Sequence, residues 1–185
     1  MGRSLRGDLA VWLIILAELL AFALLFVAFA VTRARHPVLF AQSQHSLDAS
    51  MGLVNTLLLI SGSACVVQAV SAVAAGTRWV ALGWLAGAQG CGAAFLVFKL
   101  GEFADKAAAG IDLETNLFYT FYYLLTGFHF LHVVAAMVFL GGLMVLLYRP
   151  GPTADHTHTV ETGAAFWHMV DLLWIVLFPL VYLVR

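Results

Sequence analysis

FYTFYYLLTGFHFLHVVAAMVFLGGLMVLL occupies residues 118–147, thirty positions without a single Asp, Glu, Lys or Arg. A helix of about 20 mostly apolar residues crosses the roughly 30 Å hydrocarbon core of a bilayer. This run exceeds that length and would tilt or project beyond the membrane. Four further runs qualify, over residues 9–31, 53–75, 79–103 and 164–184. The whole chain follows the same pattern, with 63% of its 185 residues hydrophobic and 10% charged. Soluble domains carry about 45–50% apolar and about 25% charged residues. In lipid, only helices and closed barrels satisfy every backbone group. A barrel would alternate polarity in segments of about 10 residues, whereas these runs are continuous. The expected fold is all-α, a single domain over residues 1–185 forming a polytopic membrane bundle of five transmembrane helices.

The connections are short. The longest, Thr32 to Met51, holds Arg33, Arg35, His36-Pro37 and Asp48. Gly76-Thr77-Arg78 is a tight turn that makes the second and third spans an antiparallel hairpin. Asp105 to Thr115 reads as a small polar loop, and Arg149-Pro150-Gly151-Pro152 stops the fourth span, because proline cannot continue a helix. Met1–Asp8 could open a signal peptide, but the apolar run behind it reaches Val31 and contains Glu18, so a retained helix is expected. Net charge is −1, which leaves no broad basic surface for nucleic acid. With the N-terminus inside, the positive-inside rule sets Arg3, Arg6, Arg78 and Arg149 against Arg33, Arg35, Lys106 and Arg185. That tie leaves orientation open. Cys65 and Cys91 both fall in spans and read as reduced packing residues.

Ionisable groups inside spans are costly and usually turn toward the bundle interior. Glu18 stands midway along the first span. Glu102 stands near the end of the third, with Lys99 three residues earlier on the same face, so the two can neutralise each other. Thr126, Gly127, His129 and His132 make a polar island in the fourth span, the two histidines sharing a face. In the fifth, Glu161 stands at the entrance, followed by Trp167, His168, Asp171 and Trp174, with His168 and Asp171 on one face. Asn55, Thr56, Ser61, Ser63 and Gln68 offer the second span partners for interhelical hydrogen bonds. The histidines could ligate haem or a metal, or serve as buried hydrogen-bonding groups. Glu18 and Glu102 could carry protons or a cation, or be carboxyls bonded to a neighbouring helix. Neither a nucleophile elbow nor a phosphate-binding loop is present.

Taken in order, these residues resemble a known family. Phe121-Tyr122-Tyr123-Leu124-Leu125-Thr126-Gly127-Phe128-His129-Phe130-Leu131-His132-Val133 is similar to the T-G-x-H-x-x-H signature of subunit III of the haem–copper oxidases. Phe166-Trp167-His168-Met169-Val170-Asp171-Leu172-Leu173-Trp174 resembles that family's W-H-x-x-D-x-x-W segment, with Glu161 at the preceding glutamate. Leu53 to Ser63 is similar to its L-N-T-x-x-L-L-x-S segment. Glu18 falls on the glutamate of its S-E-x-x-x-F segment, although Ala17 replaces the serine, and Glu102 falls on the glutamate before the extramembrane loop. Lys99 occupies a position where the family has a neutral polar residue. The matches cover nearly the whole chain and fit the short five-helix form, found in quinol oxidases and in subunit-III-like proteins associated with nitric oxide reductase.

The resemblance implies a non-redox accessory subunit without catalysis of its own, part of an oxidoreductase complex. It implies no cofactor on this chain, haem and metal in the partner, and bound phospholipid in a cleft. The implied partner is the catalytic subunit of a haem–copper oxidase or nitric oxide reductase, and the implied role is support of stability and proton uptake. It places the chain in the bacterial inner membrane with its N-terminus cytoplasmic. Glu18 and Glu102 are the lipid- and proton-side candidates. Asn55, Thr126, His129, His132, Glu161, Trp167, His168, Asp171 and Trp174 form the expected structural polar network. Two rival readings are a membrane cytochrome with His-ligated haem and a small proton or cation transporter using Glu18, Glu102 and Asp171.

Overall fold

The computed structural model describes residues 9–149, 151 and 153–184. The readings of Met1–Asp8, of Pro150 and Pro152, and of Arg185 in the charge count lie outside the described residues. The elements are α1 (Leu9–Arg35), α2 (Pro37–Gln44), α3 (Ala49–Ala74), α4 (Arg78–Ala108), α5 (Leu117–Tyr148) and α6 (Thr157–Phe178). A 3-10 turn at Thr153–His156 precedes α6, and a π-helical turn at Pro179–Leu183 ends it. Five helices are long and apolar enough to cross a membrane: Leu9–Arg35, Ala49–Ala74, Arg78–Ala108, Leu117–Tyr148 and Thr157–Leu183. The chain is a multi-span, all-α membrane bundle.

Several boundaries differ from expectation, because hydropathy marks the lipid-facing run while capping marks the helix. α3 begins at Ala49, since the Asp48 carboxylate accepts from Ser50 N at 2.8 Å and Met51 N at 3.1 Å. α4 and α5 extend beyond their apolar runs, and α5 at 32 residues is about 48 Å long at 1.5 Å per residue. α6 starts at Thr157, so Glu161 stands within the helix and not at its entrance. The connection Thr32–Met51 is largely helical: Pro37 starts α2 with its preset φ, and the last carbonyls of α1 are partly met by His36 N–H.

The tight turn after α3 is a Schellman cap. Gly76 takes φ 73°, its N–H reaches Val73 O at 2.9 Å, and Thr77 N–H reaches Ala72 O at 2.9 Å. A β-carbon would be strained there.

α3, α4, α5 and α6 each touch two of the others and close a four-helix bundle, while α1 packs outside it against α5 and α6. Only Ile15, Phe22 and Phe29 of α1 are buried, at heptad spacing, so α1 docks along one narrow strip. The bundle is close-packed around Trp167. A β-carbon at Gly62 would come within 2.9 Å of its ring, and one at Gly92 within 3.2 Å. Two glycines on adjacent helices thus form the slot for this indole. α2 closes one end: Phe40 sits edge-on between Phe29 (5.3 Å) and Phe118 (5.5 Å). Gln44 Nε2 donates to Val181 O at 2.8 Å. Pro179 has no N–H for an α-type bond, and the π turn that follows carries Val184 N–H to Pro179 O at 2.9 Å.

Candidate functional site

Four polar groups span the bundle at different depths. The deepest in charge is Lys99 on α4, which is completely buried. A buried ammonium is tolerated only when its donors are all met. Its Nζ donates to Glu102 Oε2 at 3.0 Å, Tyr122 Oη at 3.2 Å and Tyr182 Oη at 2.5 Å. Both tyrosines then donate to Glu102 Oε1, each at 2.7 Å. Three N–H and two O–H donors therefore meet four oxygen atoms in a closed set joining α4, α5 and the π turn. The rings of Phe103, Tyr122, Trp174 and Tyr182 surround the cation at 4.7–5.7 Å, adding cation–π attraction. The spacing of Lys99 and Glu102 was legible; Tyr122 and Tyr182 were not, because tertiary packing brings them from 20 and 80 positions away.

The second group crosses from α1 to α5. His132 Nε2 stands 3.0 Å from Glu18 Oε2, and His132 Nδ1 stands 2.8 Å from Phe128 O. Glu18 keeps 29% of its side-chain exposure and His132 10%. Phe22 and Phe128 pack on the imidazole, with centroids 5.4 and 4.5 Å away.

His129, three residues earlier, points elsewhere. It is fully buried among Phe95 (5.7 Å), Trp174 (5.1 Å) and Phe22 (6.5 Å). Among the described residues neither of its ring nitrogens has a hydrogen-bond partner, and the same holds for the side-chain atoms of buried Asn55. The shared face of the two histidines thus divides: His132 looks to α1 and His129 into the bundle centre. Trp174 Nε1 donates to Thr56 Oγ1 at 2.9 Å, tying α6 to α3.

The fourth group lies one to two turns along α6. His168 Nδ1 meets Ser63 Oγ at 3.0 Å. Among the described residues no ion pair joins His168 to Asp171; Ser63, which also neighbours the Asp171 carboxyl, stands between them. Among the described residues Asp171 Oδ1 and Trp167 Nε1 have no hydrogen-bond partner. Thr126 spends its hydroxyl within its own helix, on Tyr122 O at 2.6 Å. Glu161 lines a cleft of about 340 Å³ between α1, α3 and α6, with Trp12, Val67, Val70, Ala164 and His168 among its walls. Among the described residues no three His, Cys, Asp or Glu side chains gather as a metal site would require.

These contacts define a multi-span bundle in which the Glu18–His132 pair and the Lys99–Glu102–tyrosine set tie neighbouring helices together. Residues 5–184 match the family profile described as Cytochrome c oxidase subunit III. Cytochrome bo(3) ubiquinol oxidase subunit 3 of Pseudomonas aeruginosa is 28% identical over 172 residues, which is 93% of this chain and 82% of that protein. Cytochrome c oxidase subunit 3 of Thermostichus vulcanus is 31% identical over 175 residues, covering 91% and 83%. A heme-copper oxidase subunit I+III of Aeropyrum pernix is 30% identical over 139 residues, 74% of this chain and 17% of that protein. The chain belongs to the cytochrome c oxidase subunit III family.

Proposed function

We propose that this chain is a non-redox accessory subunit of a respiratory haem–copper oxidase superfamily complex, a terminal oxidase or a nitric oxide reductase. It binds the catalytic subunit and phospholipid, and supports complex stability and proton uptake. Haem and metal belong to the partner. The observation that carries this reading is the family match over residues 5–184 in a bundle whose buried charges serve as helix fasteners. Relatives named as quinol and cytochrome c oxidase subunits, and one named as a subunit I+III protein, support a catalytic subunit as the neighbour. The α1–α3–α6 cleft supports lipid binding: its walls are mainly apolar and its volume of about 340 Å³ suits an acyl chain, with Glu161 and His168 at polar positions. The chain is placed in the bacterial cytoplasmic membrane with its N-terminus cytoplasmic.

Affinity purification of the full chain from native membranes in mild detergent tests this. A copurifying subunit with haem and copper supports an oxidase, and one with haem and non-haem iron a nitric oxide reductase. A stoichiometric Soret band on the isolated chain would refute the accessory role and favour a membrane cytochrome.

A further inference from the structure

We infer that the centre of the four-helix bundle is a water-binding site, in which ordered water bridges the Asn55 amide of α3 to the His129 imidazole of α5 beside Trp174. The site goes beyond the accessory role proposed above and needs no partner subunit.

Packing against α6 brings the two side chains to one level. The inward face of α3 carries Gly52, Asn55, Leu59 and Gly62, all buried. A β-carbon at Gly52 would meet the Phe178 ring at 2.5 Å, and one at Gly62 would meet the Trp167 ring at 2.9 Å. Asn55 stands between these glycines and therefore faces the stretch of α6 between Trp167 and Phe178. Beside it, Thr56 Oγ1 accepts from Trp174 Nε1 at 2.9 Å. His129 reaches the same indole from across the bundle, its ring 5.1 Å from that of Trp174. Phe95 packs on both, 5.7 Å from His129 and 4.9 Å from Trp174.

Asn55 and His129 are both fully buried, and among the described residues none of their four side-chain nitrogen and oxygen atoms has a hydrogen-bond partner. The amide offers two N–H groups and a carbonyl oxygen; the neutral imidazole offers one N–H and one lone pair. The two are chemically complementary, yet they stand beyond hydrogen-bond distance of each other. Polar groups separated in this way are bridged by water, which donates and accepts at once and makes about three bonds to buried groups that lack other partners. Nearby polar side chains are already committed. Trp174 Nε1 is given to Thr56, Thr126 Oγ1 to Tyr122 O, and the Lys99 ammonium to Glu102 and two tyrosines.

Charge selects a neutral occupant. The Lys99 ammonium lies 5.7 Å from the Trp174 ring that His129 also faces, so a metal cation on His129 would meet a buried positive charge. Among the described residues there are also no three His, Cys, Asp or Glu side chains to hold one. An anion would use the N–H groups alone and leave the Asn55 oxygen and the imidazole lone pair bare.

The full chain, labelled with 15N-histidine and 15N-asparagine in nanodiscs of deuterated phospholipid, tests this by solid-state NMR with magnetisation transferred from water protons. The two sets of signals are assigned by their loss in His129→Gln and Asn55→Ser. The Asn55 amide and the His129 ring are expected to receive water magnetisation together at short mixing times. Asn55→Leu is expected to abolish the transfer to His129 and leave that to exposed His45 unchanged, whereas Asn55→Ser, which keeps a donor and an acceptor, retains it. Zn2+ followed by chelator is expected to leave the His129 shifts unmoved. A wild-type chain with no transfer to either side chain would overturn the site, whatever the folding of Asn55→Leu. So would transfer to His129 that Asn55→Leu leaves intact, or a His129 signal that follows Zn2+.

Discussion

Glu102→Gln should destabilise the protein far more than an exposed charge removal would. Lys99 is completely buried, and Glu102 provides the only anionic oxygen it touches among the described residues. The glutamine keeps the shape and one acceptor oxygen, but leaves the ammonium without a counter-charge. Breaking a buried pair by removing one partner costs about 3–5 kcal/mol. The two tyrosine hydroxyls that donate to Oε1 at 2.7 Å also lose a charged acceptor, so the upper part of that range applies. Lys99→Met costs less, because the remaining carboxyl keeps both tyrosine donors and can take up a proton. The double variant Lys99→Met with Glu102→Gln should recover most of the loss, since an apolar replacement of a buried pair is often near neutral. Equilibrium unfolding of the full chain in mixed micelles measures all four proteins and gives a coupling energy. A Glu102→Gln cost below about 1 kcal/mol, or additive single variants, would refute the buried-pair account.

Further outcomes follow from other contacts. Tyr182→Phe removes the hydroxyl that bridges Lys99 and Glu102 and should cost about 1–3 kcal/mol, read in the same unfolding assay. Gly92→Ala should cost about 1–3 kcal/mol by overpacking, because its new methyl meets Met137 Sδ at 2.9 Å and the Trp167 ring at 3.2 Å; Gly83→Ala, with nothing within 4 Å of its β-carbon, is the control and should be neutral. Asp48→Ala removes the α3 cap and should cost about 1 kcal/mol, visible as faster amide exchange in the first turn of α3. His168→Leu or Asp171→Leu should weaken retention of the chain in its complex, measured by subunit stoichiometry after purification; normal stoichiometry with full turnover would exclude a fastening role.

The five spans, the hairpin at Gly76 and the pairing of Lys99 with Glu102 were all legible along the chain. Hydrophobic run length, a positive-φ glycine and a three-residue helical spacing are local signals, and each maps to geometry without knowledge of neighbours. α2 escaped because it is only 8 residues long and is held by Phe40, Ser43 and Gln44 meeting residues more than 70 positions away. The resemblance brought Glu18, His132, His168 and Asp171 into view, but not how they divide. Helical spacing put His129 with His132, and His168 with Asp171. The bundle instead sends His132 to Glu18 on α1, leaves His129 in an aromatic centre, and gives His168 to Ser63 on α3. By itself, then, the sequence determined that five helices lie in lipid and which residues must escape it, because the cost of exposing charge to hydrocarbon depends only on residue type and run length. The tertiary structure alone decided which buried groups meet, because hydrogen-bond partners across antiparallel helices are set by rotation and register, and neither leaves a periodic mark on the chain.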